Sequence, residues 1–128
     1  MIGPTGVYVV DAKNWTGSVK TDGQGELLLN GKPLAKPAIK GMLGAVMDFQ
    51  GKLKALTETD YFVRGLMVFP NAYVEANYRS TRQIHCLRSD RLIEYLQNQT
   101  FARRLTATDI DRIKRATLQL AQMDKQFA

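Results

Sequence analysis

The stretch from Gly6 to Gly17 constrains the fold of this 128-residue chain most strongly. It begins with Val7-Tyr8-Val9-Val10, a run of β-branched and aromatic residues without a charged position. A strand that is apolar on both faces is typical of a sheet interior with helices packed on both sides. The run therefore predicts an α/β fold that is built around this strand.

The strand continues directly into Asp11, Ala12 and Lys13. Successive side chains in a strand alternate between its two faces, so Asp11 and Lys13 are expected on one side and Ala12 on the other. Asn14, Trp15, Thr16 and Gly17 then end the strand with turn chemistry. An acid and a base are therefore predicted side by side at the end of a rigid hydrophobic element.

Two interpretations of this pair are open. One is a salt bridge at the end of a strand, which is common and stabilises little. The other is a metal-dependent phosphodiesterase site, in which the carboxylate holds Mg²⁺ and the lysine positions the attacking water. The tripeptide Asp-Ala-Lys taken alone favours the salt bridge.

The wider segment Ile2-Gly-Pro-Thr-Gly-Val-Tyr-Val-Val-Asp-Ala-Lys-Asn-Trp-Thr-Gly17 resembles the core of the nuclease-related domain (NERD) family. This family belongs to the restriction-endonuclease-like, PD-(D/E)xK nucleases. The shared features are the Gly-Pro-x-Gly turn, the apolar strand, the acid-x-Lys pair, Trp15 and Gly17. From Gly17 to about Phe69 the resemblance extends to the order of elements and the apolar pattern.

The resemblance implies a restriction-endonuclease-like core, in which a central mixed sheet is flanked by helices. It also implies that Asp11 and the backbone carbonyl of Ala12 bind Mg²⁺ or Mn²⁺, and that Lys13 orients the hydrolytic water. The expected substrate is DNA. Lys40 or Gln50 of the following helix would help to orient Lys13 or the substrate, unless each is a solvated surface residue.

The chain also departs from the family pattern. The family carries a second metal-binding acid a few residues upstream of the position of Ile2, whereas this chain begins at Met1. The family motif Asn-Pro-x-x-Gln aligns with Lys36-Pro37-Ala38-Ile39-Lys40. We therefore expect a single NERD-like domain over residues 1–128 that lacks the N-terminal part of the family domain.

These departures leave two functions open. The first is a metal-dependent nuclease acting on DNA, impaired by the missing upstream acid. The second is a catalytically inactive module that binds nucleic acid or another protein on the same scaffold. The absent first strand would also leave an exposed sheet edge, through which the chain could form a homodimer.

The remaining elements are predicted from turn signals and apolar spacing. A central sheet of about four to six strands is expected. Gly65 is predicted to be a bulge or a point of close packing. The predicted strands are Ser18–Thr21, Glu26–Leu29, Tyr61–Phe69 and Gln83–Leu87, with an irregular edge segment at Tyr73–Tyr78; the predicted helices run from Ala38 to about Leu56, from Arg91 to about Gln97, and from a capping box at Thr106 and Asp109 to about Lys125.

Composition favours some binding partners and cellular locations over others. The formal charge of +6 favours a polyanionic partner such as nucleic acid. No apolar run is long enough to span a membrane, and no secretory signal is expected. The single cysteine, Cys86, excludes an internal disulfide and fits a reducing cytoplasm. His85 and Cys86 are adjacent in a predicted strand, so they should face opposite sides and not form a zinc or nucleophile site.

Overall fold

The computed structural model describes residues 1–74, 83–98 and 104–127. The strands are β1 (Ile2–Gly3), β2 (Gly6–Ala12), β3 (Gly17–Thr21), β4 (Leu27–Leu29), β5 (Lys32–Pro33), β6 (Val63–Phe69), β7 (Ala72–Val74) and β8 (Ile84–Arg88). The helices are α1 (Ala38–Thr57), α2 (Leu92–Gln97), which follows a short 3₁₀ turn, and α3 (Ala107–Phe127). Each predicted strand and helix is therefore present within a few residues of its expected position, except for Tyr73–Tyr78, of which residues 75–78 lie outside the described part.

The strands form two mixed sheets, so the α/β class with mixed sheets and helices is confirmed and the single central sheet is wrong. The first sheet has the order β1-β2-β6-β8 and the second the order β5-β4-β3-β7. The parallel pair β2–β6 is followed, after a break, by the parallel pair β3–β7. The restriction-endonuclease-like core itself stays a prediction.

The two sheets separate at a break that both strands share. The break falls at Lys13–Thr16 after β2 and at Pro70–Asn71 after β6, where Pro70 lacks a backbone N–H for the ladder. Between the paired positions Ala12–Val68 and Gly17–Ala72, the segment after β2 contains one residue more than the segment after β6. One extra residue interrupts the ladder and bends the strands, as in a β-bulge.

The main core lies between the sheets and the helices α1 and α3. The buried face of α1 consists of Ile39, Met42, Val46 and Leu53, as the apolar spacing predicts. Leu56, three residues after Leu53, is 37% exposed. The other face of the first sheet packs against α2 through Tyr8, Leu66, Val68 and Leu87. Helices therefore cover the first sheet on both sides, and this part of the prediction from Val7–Val10 is confirmed.

The predicted central strand is nevertheless only half enclosed. β1 pairs with β2 at Gly6 and Val7, and the backbone of Met1 extends this pairing to Tyr8. Within the described residues, no strand lies beside Val9–Ala12 on that side. Val10 is 39% exposed as a result, whereas Val7 and Tyr8 are buried. The second half of β2 is therefore an open sheet edge.

Gly65 is a point of close packing, which is one of the two roles that the sequence predicts for it. A Cβ atom at this position would lie 2.5 Å from Cδ1 of Ile84, 3.0 Å from Cγ2 of Val46 and 3.1 Å from Cε of Met42. The absence of a side chain thus allows α1 to approach the centre of β6.

We predict that Gly65→Ala lowers the free energy of unfolding by about 1–3 kcal/mol, because the added methyl group overpacks the core. Gly44→Ala is the matched control, since Gly44 lies in α1 with no atom within 4 Å of an added Cβ. That substitution should raise stability by about 0.5–1 kcal/mol through helix propensity. Urea denaturation measures both; equal effects of the two variants would contradict the packing argument.

A buried hydrogen-bond cluster ties α3 to the start of β6. Thr106 and Asp109 form the predicted capping box, with the Asp109 backbone N–H donating to Thr106 Oγ1 at 3.1 Å and the Thr106 N–H donating to Asp109 Oδ2 at 3.0 Å. The hydroxyl of Tyr61 donates to Asp109 Oδ1 at 2.7 Å. Burial and the neighbouring Asp109 carboxylate raise the pKa of Tyr61. The folded protein therefore holds the phenol proton more tightly than the unfolded chain.

This cluster predicts an alkaline loss of stability. As the pH rises above about 10, an unfolded tyrosine releases its proton before the folded Tyr61, so the free energy of unfolding falls with pH. Tyr61→Phe should cost about 1–2 kcal/mol at neutral pH and should flatten this fall. Tyr73→Phe, which alters an exposed tyrosine, should leave the fall in the free energy of unfolding with pH unchanged. Urea denaturation at a series of pH values tests this, and parallel curves for wild type and Tyr61→Phe would refute it.

Candidate functional site at the end of β2

Asp11 and Lys13 lie together where β2 ends. Asp11 pairs with Met67 of β6, and the backbone N–H of Lys13 donates to the carbonyl of Val68 at 2.9 Å. Their side chains form an ion pair of 3.0 Å, with 43% of the Asp11 side chain and 34% of the Lys13 side chain exposed. The expectation that both side chains emerge on the same side is confirmed. An ion pair this exposed contributes on the order of 1 kcal/mol or less to stability.

The carbonyl of Ala12 belongs to the open edge of β2. The backbone N–H and C=O of Tyr8 face β1, where they bond to Met1. Backbone groups alternate between the two neighbours of a strand, so those of Val10 and Ala12 face the same side as those of Tyr8. Beyond Tyr8 this side has no strand within residues 1–74, 83–98 and 104–127. The Ala12 carbonyl, on the backbone between the acid and the base, is thus directed towards a side on which the described residues contain no strand.

The turn that follows Lys13 is fixed by contacts across the break between the sheets. The side chains of Asn14 and Asn71 are hydrogen-bonded, and the ring of Trp15 packs on that of Phe69 with 5.5 Å between centroids. Sequence reasoning identified Trp15 but missed Asn71. The only sequence signal for it is its place after Pro70, which indicates a turn and not a partner.

Gly17 is required by a close approach to the second sheet. It has φ +106°, and a Cβ atom there would overlap the side chain of Asn30. Asn30 Oδ1 accepts a hydrogen bond from the Ser18 N–H at 2.9 Å, and the Asn30 N–H donates to the Ser18 carbonyl at 2.8 Å. The glycine that forms part of the family resemblance thus has a structural role in anchoring the turn after Lys13.

The two auxiliary candidates lie in different places. Gln50 Oε1 accepts hydrogen bonds from the Val63 N–H at 3.0 Å and from Gln83 Nε2 at 3.1 Å. Val63 is four residues before Met67, the partner of Asp11, and this separation corresponds to about 13 Å along a strand. The structure therefore does not bring Gln50 to the Asp11–Lys13 pair.

Lys40 lies in the exposed first turn of α1. Its backbone N–H and that of Ile39 donate to the carboxylate of Glu26 at 3.2 and 2.8 Å. Pro37 at the N-cap provides no side-chain hydrogen bond, and Glu26 from the β3–β4 hairpin caps this helix instead. Sequence reasoning did not predict this contact. Glu26 stabilises the helix start, and the auxiliary role of Lys40 stays a prediction.

The donor set at the end of β2 fits a magnesium ion only in part. The Asp11 carboxylate and the Ala12 carbonyl are the hard oxygen ligands that Mg²⁺ prefers, and Mg²⁺ often binds through one or two carboxylates while water or phosphate oxygens complete its shell. Among the described residues, no group of three or more His, Cys, Asp or Glu side chains could hold a metal ion. These residues would therefore hold Mg²⁺ by two protein oxygens.

The pair His85 and Cys86 behaves as the alternation predicts. Cys86 is buried in the main core. His85 lies on the other face, where its ring stacks on Tyr95 of α2 with 4.5 Å between centroids. The two side chains therefore lie on opposite faces of the first sheet.

Comparison with protein-family models, with curated proteins and with solved structures found no match for this chain. The similarity to the nuclease-related domain therefore depends on Ile2 to Gly17 and stays a prediction. No helix in the part of the chain that the structure describes is both long and apolar enough to cross a membrane. The cytoplasmic location also stays a prediction.

Proposed function

We propose that this chain is a metal-dependent nuclease-like domain that acts on DNA. The observation that carries the proposal is the contact between an acid and a base at the end of β2. Asp11 and Lys13 form a half-exposed pair of 3.0 Å, and the Ala12 carbonyl between them belongs to the open edge of the strand. Oxygen ligands beside a lysine suit a phosphodiester and a divalent cation together.

Each residue has a distinct role in this proposal. Asp11 and the Ala12 carbonyl would hold Mg²⁺ or Mn²⁺, which, when bound, lowers the pKa of a coordinated water and neutralises phosphate charge. Lys13 would orient the hydrolytic water or contact the scissile phosphate through its ammonium group. Lys40 at the start of α1 would contact the substrate. The basic charge of +6 supports a DNA partner.

A plasmid-nicking assay tests the roles of the pair. With Mg²⁺ or Mn²⁺ present, Lys13→Ala and Asp11→Asn should each lower the nicking rate at least about 100-fold, in line with the loss of a group that acts on the reacting atoms. Lys52→Ala is the matched control, because Lys52 forms an exposed ion pair of the same length with Asp48 on α1. Equal nicking by all variants, or nicking without a divalent ion, would contradict the proposal.

The second candidate function is a module that binds nucleic acid without cleaving it. The observation that favours it is that residues 1–74, 83–98 and 104–127 contain no group of three or more His, Cys, Asp or Glu side chains that could hold a metal ion. This module would bind DNA with an affinity that falls steeply with salt, and it would not nick plasmid at any metal concentration.

The open edge of β2 supports a homodimer as the partner arrangement. The backbone groups of Val10 and Ala12 face that edge, and an unpaired edge is a template for another strand. We predict a dimer in solution that dissociates in the variant Val10→Lys, because an edge lysine opposes strand pairing. Light scattering coupled to size-exclusion chromatography measures both masses. A wild-type monomer over a range of concentrations would exclude this arrangement.

A further inference from the structure

The outer face of the second sheet carries an exposed aromatic ring. Val19, Leu27 and Val74 point into the main core, so the alternate residues of their strands form the opposite face. On that face Tyr73 lies beside Ser18 in the register of β7 and β3, and its side chain is 62% exposed. Lys20 follows two residues along β3 on the same face, and it is also exposed. A flat ring and an ammonium group therefore share this surface.

The charge around this face is basic. The four strands contain two charged residues, Lys20 and Lys32, and no acid. Lys20 lies on this face, whereas Lys32 pairs with Leu29, the partner of the core residue Val19, and so belongs to the other face. Asp22 accepts hydrogen bonds from the backbone N–H groups of Gln24 and Glu26, and the Glu26 carboxylate caps α1. Among the ion pairs of the described residues, none includes Lys20 or Lys32. The Lys20 ammonium group can therefore pair with an anionic ligand on this face.

We propose that the outer face of the second sheet binds single-stranded nucleic acid, with a base stacked on Tyr73 and a phosphate near Lys20. Aromatic rings and basic side chains on an open sheet surface are the usual components of single-strand sites, and stacking does not depend on base identity. An apolar protein partner is disfavoured, since Tyr73 is the only large hydrophobic residue of the four strands that is markedly exposed within the described residues. The inference shares the ligand class of the proposed function but needs neither metal nor cleavage.

Fluorescence anisotropy of a labelled oligothymidylate of about 16 nucleotides, without divalent metal, tests the inference. Tyr73→Ala should weaken binding about tenfold, as expected for the loss of one stacked base, and Tyr73→Phe should retain it. Phe62→Ala is the matched control, because Phe62 is 51% exposed but lies just before β6, at the far end from β7. Lys20→Gln should lower the slope of log K against log salt by about 0.7.

The outcomes separate this inference from the proposed nuclease function. Binding that depends on Tyr73, in a protein that does not nick plasmid, supports the inference and rejects cleavage. Nicking that depends on Lys13, with the affinity for oligothymidylate unchanged in Tyr73→Ala, rejects the inference and leaves the nuclease function standing. Equal weakening by Tyr73→Ala and Phe62→Ala, or an unchanged salt slope in Lys20→Gln, also overturns the inference.

Discussion

The parallel backbone ladder between β2 and β6 is the constraint on which the rest of the structure depends. It joins Val7–Ala12 to Val63–Val68 and continues through the Lys13 N–H to the carbonyl of Val68. Both strands then cross the same break and pair again as β3 and β7. Because both strands are interrupted at the same level, the polar residues after β2 lie at the break between two sheets and not inside a continuous one.

Local periodicity was sufficient to predict most of the elements and the central geometry of the site. The spacing of Ile39, Met42 and Val46 defines the buried face of α1, and the capping box at Thr106 defines the start of α3. The placement of Asp11 beside Lys13 follows from strand alternation alone. These features depend on residues a few positions apart, so the sequence contains the information directly.

The features that sequence reasoning missed all join distant parts of the chain. Glu26 caps a helix that begins more than ten residues later, Asn14 bonds to Asn71, and Gln50 bonds to the backbone of Val63. The division into two sheets likewise results from one residue in excess between two strand pairs that are far apart in sequence. Each depends on register between elements, which no local pattern specifies.

The unpaired edge of β2 has two consequences for the candidate site, one for its accessibility and one for its number of carboxylates. It leaves the Ala12 carbonyl and half of the Asp11–Lys13 pair accessible, as a ligand requires. It also means that no neighbouring strand within the described residues brings a second carboxylate to Asp11. A second acid would have to come from a segment beside Val9–Ala12, where the described residues contain no strand. Because a half-exposed pair stabilises the fold by on the order of 1 kcal/mol at most, substitutions at Asp11 and Lys13 should have little effect on folding, so a change in ligand binding or activity in these variants would not reflect unfolding.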